Sequence, residues 1–325
     1  MENKEFNQEN KDLISIVLTS YNREDFILEQ LDSIVAQTYR NWELIIADDC
    51  STDGSDKIIQ KFIEENKDNK IIYIKNKANL GLIENFENAL QYASGGYIAV
   101  CDSDDIWFRD KLEKELQFLK SGNYGMVYSD LIVVDENMEV IKKSFLKNCL
   151  SPFSNQRDDT FNELIKENHV VGSTILFKAK LKNTLIPFSR FGIHDHWIAT
   201  IFSIFSTIGY LNIPTVLYRQ HSNNMIGANK YSIIKLLAKK NKIFLEKHLE
   251  MKKNGLVFLK DLSNIEGIND EIRGIIHKKI KKTQILIECL LEVKSGKIIF
   301  WKCLFGLWKL NAFREMLQII YFKIY

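Results

Sequence analysis

Four short apolar runs, each followed by an amphipathic stretch, fill the first hundred residues and restrict the fold more than any other feature. Residues 14–18 (ISIVL) are apolar and β-branched without alternation, the pattern of a strand buried on both faces. Residues 24–37 carry Phe26, Leu28, Leu31, Ile34 and Val35 at helical spacing. A second strand is predicted over 42–47 and a helix over 55–65, with Ile58, Ile59, Phe62 and Ile63 on its inner face. A third strand follows over 71–74, a third helix over 83–93 and a fourth strand over 97–101. Such alternation predicts βαβ units in an α/β fold built on a mostly parallel sheet.

In sheets of this kind ligands bind outside the carboxyl ends of the strands. The residues there are 19–22 (with Thr19, Tyr21 and Asn22), 48–53, 76–81 and 102–105, a polar and acidic set. Past Arg109 the rhythm loosens. A helix is predicted over 111–119, strands over 126–134, 171–177 and 213–218, a helix over 197–205 and a loop over 149–159. After Asn229 the pattern turns helical, lysine-rich and aromatic. This gives a polar tail over 1–12 and a catalytic-type domain over 13–229, divided near 108/109. A basic helical extension follows over 230–325.

Charge follows the same division. Residues 230–325 hold 20 Lys+Arg against 9 Asp+Glu, a net charge of +11, which leaves −9 on residues 1–229 of a chain totalling +2. Five scattered cysteines without a CxxC pair match reduced thiols rather than a disulfide framework or a zinc site. The first residues lack the apolar core of a signal peptide, and no apolar run reaches about 18 residues, so a cytoplasmic protein is expected.

The chemistry concentrates in YIAVCDSDDI, residues 97–106, where a buried strand runs into Asp102, Ser103, Asp104 and Asp105. Three carboxylates in four residues repel one another unless something compensates. A divalent cation is the simplest compensation, and hard oxygen ligands suit Mg²⁺ or Mn²⁺. The alternative is a solvated turn capping the next helix. A second acidic turn, ADDCSTDGS, lies at the same sheet edge; capping explains Ser51 to Gly54 better than it explains the pair Asp48 and Asp49.

VLTSYNR, IIADDCSTDGS, NLGLIENFENAL and CDSDD occur here in the order and spacing of family 2 glycosyltransferases of the GT-A (Rossmann-like) fold. The resemblance covers roughly residues 13–225. It implies that Thr19 and Tyr21 line a nucleobase pocket, with Asp48 or Asp49 on the base. Asn22 and Ser103 belong to the same nucleotide-sugar site. Asp102 would hold the ribose, and Asp104 a Mn²⁺ or Mg²⁺ ion on the diphosphate, with Asp102 beside it. Asn79 and Gly81 would shape the adjoining loop, or be an ordinary turn before a helix.

Further on, FGIHDHWIATIF resembles the acceptor-side motif of bacterial members that include rhamnosyltransferases. That makes Asp195 the expected base and His194, His196 and Trp197 acceptor contacts; the plainer reading of Asp195 is a helix cap. His196 stands where the motif usually has Trp. YRQHSNN, residues 218–224, resembles the closing motif, which places His221 on the metal or diphosphate and Arg219 on phosphate charge; His221 is equally readable as structural. The implied activity is inverting, metal-dependent sugar transfer from a dTDP- or UDP-linked donor, with dTDP-rhamnose favoured. The acceptor would be a lipid-linked or polysaccharide chain.

Other classes fit less well. No GxGxxG follows the first strand and no GxxxxGK[ST] occurs, which excludes the usual dinucleotide and P-loop enzymes. A phosphohydrolase would carry an Asp where this chain reads Thr19-Ser20-Tyr21-Asn22. A non-catalytic nucleotide-sugar-binding scaffold of a membrane assembly remains as the second reading. The basic, aromatic extension over 230–325 suits peripheral docking on the inner membrane surface, or else a helical cap or dimer interface. Nucleic acid is not expected, since no recognition motif accompanies the lysines.

Overall fold

The computed structural model describes residues 11–146, 157–222 and 242–294. The first ten residues of the expected tail, 147–156 of the expected loop, Asn223 and Asn224, and 223–241 and 295–325 around and within the expected extension lie outside the described residues. Contacts divide the chain into two compact units, 1–188 with 193–228, and 189–192 with 229–325.

The first half of the larger unit follows the predicted alternation. Strands β1 (Ile14–Ser20), β2 (Trp42–Asp48), β3 (Ile71–Lys75) and β4 (Tyr97–Asp102) run parallel in the order β3-β2-β1-β4. Every residue of β1 and β2 is buried, as their unbroken apolar runs require. Helices α1 (Ile27–Val35), α2 (Ser55–Glu65) and α3 (Leu82–Gln91) cover the sheet through Ile27, Leu31 and Ile34, through Ile59 and Phe62, and through Phe86, Ala89 and Leu90. The chain steps outward from β1 to β2 and returns on its other side as β4, so the crevice between the ends of β1 and β4 is the topological switch point. Register brings Thr19 level with Asp102, and Ser20 level with Asp48.

Helix α1 begins three residues later than its periodicity suggests. The amides of Arg23 and Glu24 are taken by Ser55 Oγ (2.8 Å) and the Asp53 carboxylate (3.1 Å), and Glu24 returns a bond to the Gly54 amide (2.7 Å). The turns after β1 and β2 are thereby braced together at the sheet edge.

The second half mixes strand directions. It contains β5 (Ile106–Trp107), α4 (Lys111–Ser121), β6 (Met126–Asp135), β7 (Val140–Lys142), α5 (Arg157–Leu164), β8 (Ile175–Lys178), α6 (Lys182–Leu185), α7 (His194–Phe205) and β9 (Ile208–Gln220). The sheet continues β4-β8-β6-β9-β5, with β7 beside β6; only β6 and β9 pair in parallel. The parallel expectation therefore holds for the first four strands, and the whole sheet is mixed. Strands β4 and β5 are three residues apart in sequence yet sit at opposite ends of this five-strand path, so the sheet must curl to close the distance. That curl carries the end of β9 back onto the turn after β4.

Three local expectations change. Helix α5 claims residues from Arg157, inside the expected loop. The expected strand over 171–177 opens instead with a 3₁₀ turn, Gly172–Thr174, where the Thr174 amide and hydroxyl both bond Val171 O (3.0 and 2.7 Å). Strand β9 is longer than expected and shifts register near Pro214, which pairs with Asp130 at an irregularity where a missing N–H is tolerated.

The smaller unit is described through α8 (Lys242–Ser263) and α9 (Asp270–Lys294), which bury Leu249, Phe258, Leu259, Leu262, Ile272, Ile276, Leu286 and Leu290. Among the described residues no helix is long and apolar enough to cross a membrane.

Candidate active site

Strand β4 ends at Asp102, and the next three residues form a buried acidic turn: Ser103, Asp104 and Asp105 are 6%, 8% and 0% exposed. Asp104 receives Arg23 Nε and His221 Nε2 on the same oxygen, each at 3.0 Å. Burial works to raise its pKa, but the His221 hydrogen bond and the Arg23 charge outweigh it and hold Asp104 below the usual carboxylate value. Asp105 is driven well above that value by burial and by the charges of Asp104 and Asp102. Asp102 is pushed up to about 7 by burial and by Asp104. The cluster tolerates its crowding by ionising unevenly.

Arg219 braces this turn from β9. Its amide donates to Asp105 Oδ1 (3.1 Å), its Nε to Asp104 O (3.1 Å), one terminal nitrogen to Glu136 O (3.3 Å) and the other to Glu29. The guanidinium lies 4.9 Å from the Phe26 ring centroid, and His221 stacks on Phe26 at 4.6 Å. Arg219 is 3% exposed, and in this arrangement its donors hold the acidic turn.

Among the described residues no three His, Cys, Asp or Glu side chains gather into a complete metal cage. The donor set still fits a divalent cation of the Mn²⁺ or Mg²⁺ type. Such ions need only one or two protein carboxylates when phosphate oxygens and water fill the other positions. Asp104 and Asp102 at the adjacent strand end provide one or two such carboxylates, with His221 on Asp104 and the Arg23 guanidinium as the cation nearest to both.

The second acidic turn is organised around its own backbone. Asp49 accepts from the Leu80 and Gly81 amides, both at 2.8 Å, and from Asn76 Nδ2 at 2.9 Å. Asn79 Nδ2 donates to Asp49 O (3.3 Å). Gly81 has φ +80°, a conformation that favours glycine at this turn into α3. Asp48 is wholly buried, and its carboxylate takes the Ser51 amide (3.0 Å) and hydroxyl. Asn22 links the turns by accepting from the Thr52 amide (2.9 Å) and donating its own amide to Ser51 Oγ (2.9 Å). Thr19 is buried at the strand end, whereas Tyr21 is 45% exposed at this edge.

Asp195 opens α7 with 8% exposure. It accepts Asn168 Nδ2 at 3.0 Å, and burial followed by the charge of Asp102 pushes it up to about 7. The acidic turn and Asp195 thus share one electrostatic neighbourhood. Of the three residues expected to touch an acceptor, His194 and Trp197 are buried, whereas His196 is partly exposed. His194 is buried and stacked on Phe86 at 4.7 Å, neither ring nitrogen has a hydrogen bond, and burial lowers its pKa to about 4. His196 Nε2 bonds Leu164 O and Trp197 Nε1 bonds Leu185 O, both at 2.8 Å. Helix α7 is buried along nearly its whole length, so these rings anchor it.

Sequence reasoning missed Arg23, Phe26, Glu29, Asn168 and Gly172 as parts of the site. Only Arg23 carried a signal, as the one basic residue in the turn between β1 and α1. Among proteins of known sequence, the chain is 30% identical over 226 residues to WfgD of Escherichia coli, a UDP-Glc:alpha-D-GlcNAc-diphosphoundecaprenol beta-1,3-glucosyltransferase, covering 69% of this chain and 83% of that one. Among solved structures it resembles residues 1–349 of S. aureus TarS in complex with UDP, with TM-score 0.56, 15% identity and coverage of 95% and 89%. It also resembles the mannosyltransferase PcManGT of Pyrobaculum calidifontis in complex with GDP-Man and Mn²⁺, with TM-score 0.53, 17% identity and coverage of 96% and 80%. The family model for glycosyl transferase family 2 matches residues 15–185, and with this sheet, this acidic turn and these relatives the chain belongs to that family and has its GT-A fold.

Proposed function

We propose that the protein is an inverting transferase that moves a hexose from a UDP-sugar to a lipid-linked or polysaccharide acceptor in surface-polysaccharide synthesis. The observation that carries this reading is that Gly172 packs between Val100, on the strand that delivers Asp102, and His194, the neighbour of Asp195, which brings the start of α7 up to the acidic turn. In this reading Thr19, Tyr21 and Asn22 form the nucleobase end, where exposed Tyr21 stacks on the base. Asp49 borders the base with the loop of Asn79 and Gly81, and sealed Asp48 supports the turn through Ser51. Asp102 and Ser103 receive the ribose.

Asp104, with Asp102 and His221, would hold Mn²⁺ or Mg²⁺, which when bound offsets charge on the departing diphosphate. Asp195 takes the proton of the acceptor hydroxyl as that oxygen bonds the anomeric carbon and the bond to the diphosphate breaks, which inverts the configuration. A base so placed contributes a factor of about 10²–10⁴. With its pKa pushed up to about 7, Asp195 is strong enough for the task and still ionises near neutral pH.

WfgD is by name a UDP-Glc enzyme, which supports UDP over dTDP. The rhamnosyl expectation rested on the resemblance of the His-Asp-x-Trp segment alone, so the UDP-Glc relative weighs more in our reading. For location we favour the cytoplasmic face of a membrane. The support for this is the excess of Lys and Arg over residues 230–325, which suits anionic lipid.

The test pairs binding with turnover. Melting of the wild type and Asp104→Asn is followed with UDP, dTDP and GDP, with and without Mn²⁺. A ligand at about 100 times its Kd stabilises by roughly 2.7 kcal/mol. Glucose transfer from UDP-glucose to a short-chain lipid-diphosphate-linked N-acetylglucosamine is then measured for the wild type and Asp195→Asn. Mn²⁺-dependent stabilisation by UDP that needs Asp104, with turnover that needs Asp195, is expected. A folded protein that no nucleotide stabilises would sink the donor site, and an active Asp195→Asn would sink the base.

A further inference from the structure

The stretch joining α5 to β8 does more than connect them. Asn168 is clipped to its own loop at both ends of its amide: Nδ2 donates to Val170 O (2.9 Å) and Oδ1 accepts the Val170 amide (3.0 Å). The same Nδ2 donates its second hydrogen to Asp195 Oδ1 at 3.0 Å, across 27 residues of sequence. Flipping the amide would set an acceptor oxygen against two acceptors, Val170 O and the Asp195 carboxylate, so the network fixes its orientation.

The loop is also pressed onto the start of α7. A Cβ at Gly172 would come within 2.9 Å of His194 Nε2, so only glycine lets the backbone approach there. A loop that needed Asn168 only to close its own turn would be complete with the two Val170 bonds. The third bond, to the carboxylate at the site, is the one a turn does not require.

We propose that Asn168 is a positioning residue for sugar transfer, holding the Asp195 carboxylate in one rotamer at the site through Nδ2. The inference rests on the reading of Asp195 as the base. A carboxylate at a helix start has several accessible rotamers, and fixing the reacting oxygen before the acceptor arrives converts lost freedom into rate. Asn168 itself touches no substrate, so its removal slows turnover without weakening the hold on the donor.

The test uses the full chain with UDP-glucose, Mn²⁺ and the short-chain lipid-diphosphate-linked N-acetylglucosamine. Asn168→Ala and the isosteric Asn168→Asp are compared, the second guarding against a collapsed loop. Both are expected to lower kcat at least tenfold while leaving the KM for UDP-glucose and the UDP-dependent melting shift within twofold of wild type. In the Asp195→Asn background, Asn168→Ala is expected to add no further loss, because residues acting through one group are non-additive. A kcat within twofold of wild type in Asn168→Asp overturns the inference, as does a full additional loss in the double variant. Asp195→Asn with wild-type turnover overturns the base reading itself, and the inference with it. Loss in Asp195→Asn beside normal Asn168 variants overturns the inference alone.

Discussion

Between α4 and β9 lies an ion pair with no exposed surface. Lys111 Nζ reaches Glu115 Oε1 and Oε2 at 2.6 and 2.7 Å, and both side chains are 0% exposed. Thr215 on β9 donates to Glu115 Oε1 (3.0 Å) and pairs with Ser129 on β6 (2.6 Å), and the ammonium lies 4.8 Å from the Trp107 ring centroid. The pair therefore ties α4 to the strand that carries Arg219 and leads into His221. Burial pushes the Glu115 carboxyl above its usual range even against Lys111, so desolvation exceeds attraction. Glu115→Gln, which strands a buried ammonium, should destabilise by about 3–5 kcal/mol. The double replacement Lys111→Met/Glu115→Leu should return to within about 1 kcal/mol of wild type, because no charge is left without a partner. Urea unfolding followed by tryptophan fluorescence reads both. With a slope of about 3 kcal/mol/M, the single variant should lose roughly 1–1.7 M in midpoint at unchanged slope. A Glu115→Gln midpoint within about 0.3 M of wild type would mean that water reaches the pair, and a double variant as weak as the two singles combined would refute the desolvation argument.

Three further outcomes are expected. With its pKa raised to about 7 by burial and by the charge of Asp102, Asp195 is protonated in acid; kcat/KM should fall as pH drops through about 7, and a flat profile between pH 5.5 and 8.5 contradicts this. Arg23→Gln removes the guanidinium from Asp104, and the Kd for Mn²⁺ without nucleotide, read by electron paramagnetic resonance, should tighten about fivefold, or ~1 kcal/mol; weaker binding would reverse the assignment. Asp49→Ala strips the Leu80 and Gly81 amides of their acceptor, so their hydrogen exchange should accelerate and UDP bind at least tenfold more weakly; unchanged exchange would remove the loop-anchoring role.

The first four strands were legible because each depends on a local pattern: the unbroken apolar runs of β1 and β2 and the spacing of Ile27, Leu31 and Ile34 need no distant partner. The acidic turn was legible for a similar reason, since three carboxylates in four residues demand compensation wherever they fold. What escaped depends on contacts far apart in sequence. The brace from Arg219 joins residues 115 and 190 positions away, Asp104 and Glu29, and no local pattern marks an arginine as turned inward. His194 and Trp197 lie beside the candidate base in sequence, but a helix turns adjacent side chains by about 100°; here those turns carry both rings into the core. Residues 171–177 read as one strand because Val171 and Ile175–Phe177 are apolar, while the closeness of Gly172 to His194 is invisible without the fold.

The curl of the sheet also orders events while the chain is being made. Asp104 and Asp105 leave the ribosome more than a hundred residues ahead of Arg219 and His221, the partners that steady them. At about 5–20 residues per second, the interval is roughly 6–23 s. During it the β3-β2-β1-β4 layer can assemble from neighbouring segments, with Arg23 alone beside the acidic turn, while β5 and the long flank of β6 have no β9 to pair with. At that stage the first four strands can be paired while the sheet edge that β9 later covers is open and the acidic turn lacks its bonds to Arg219 and His221. Pauses in translation just before residue 208 would lengthen that exposure, whereas pauses after residue 221 would fall once the closing strand has been made.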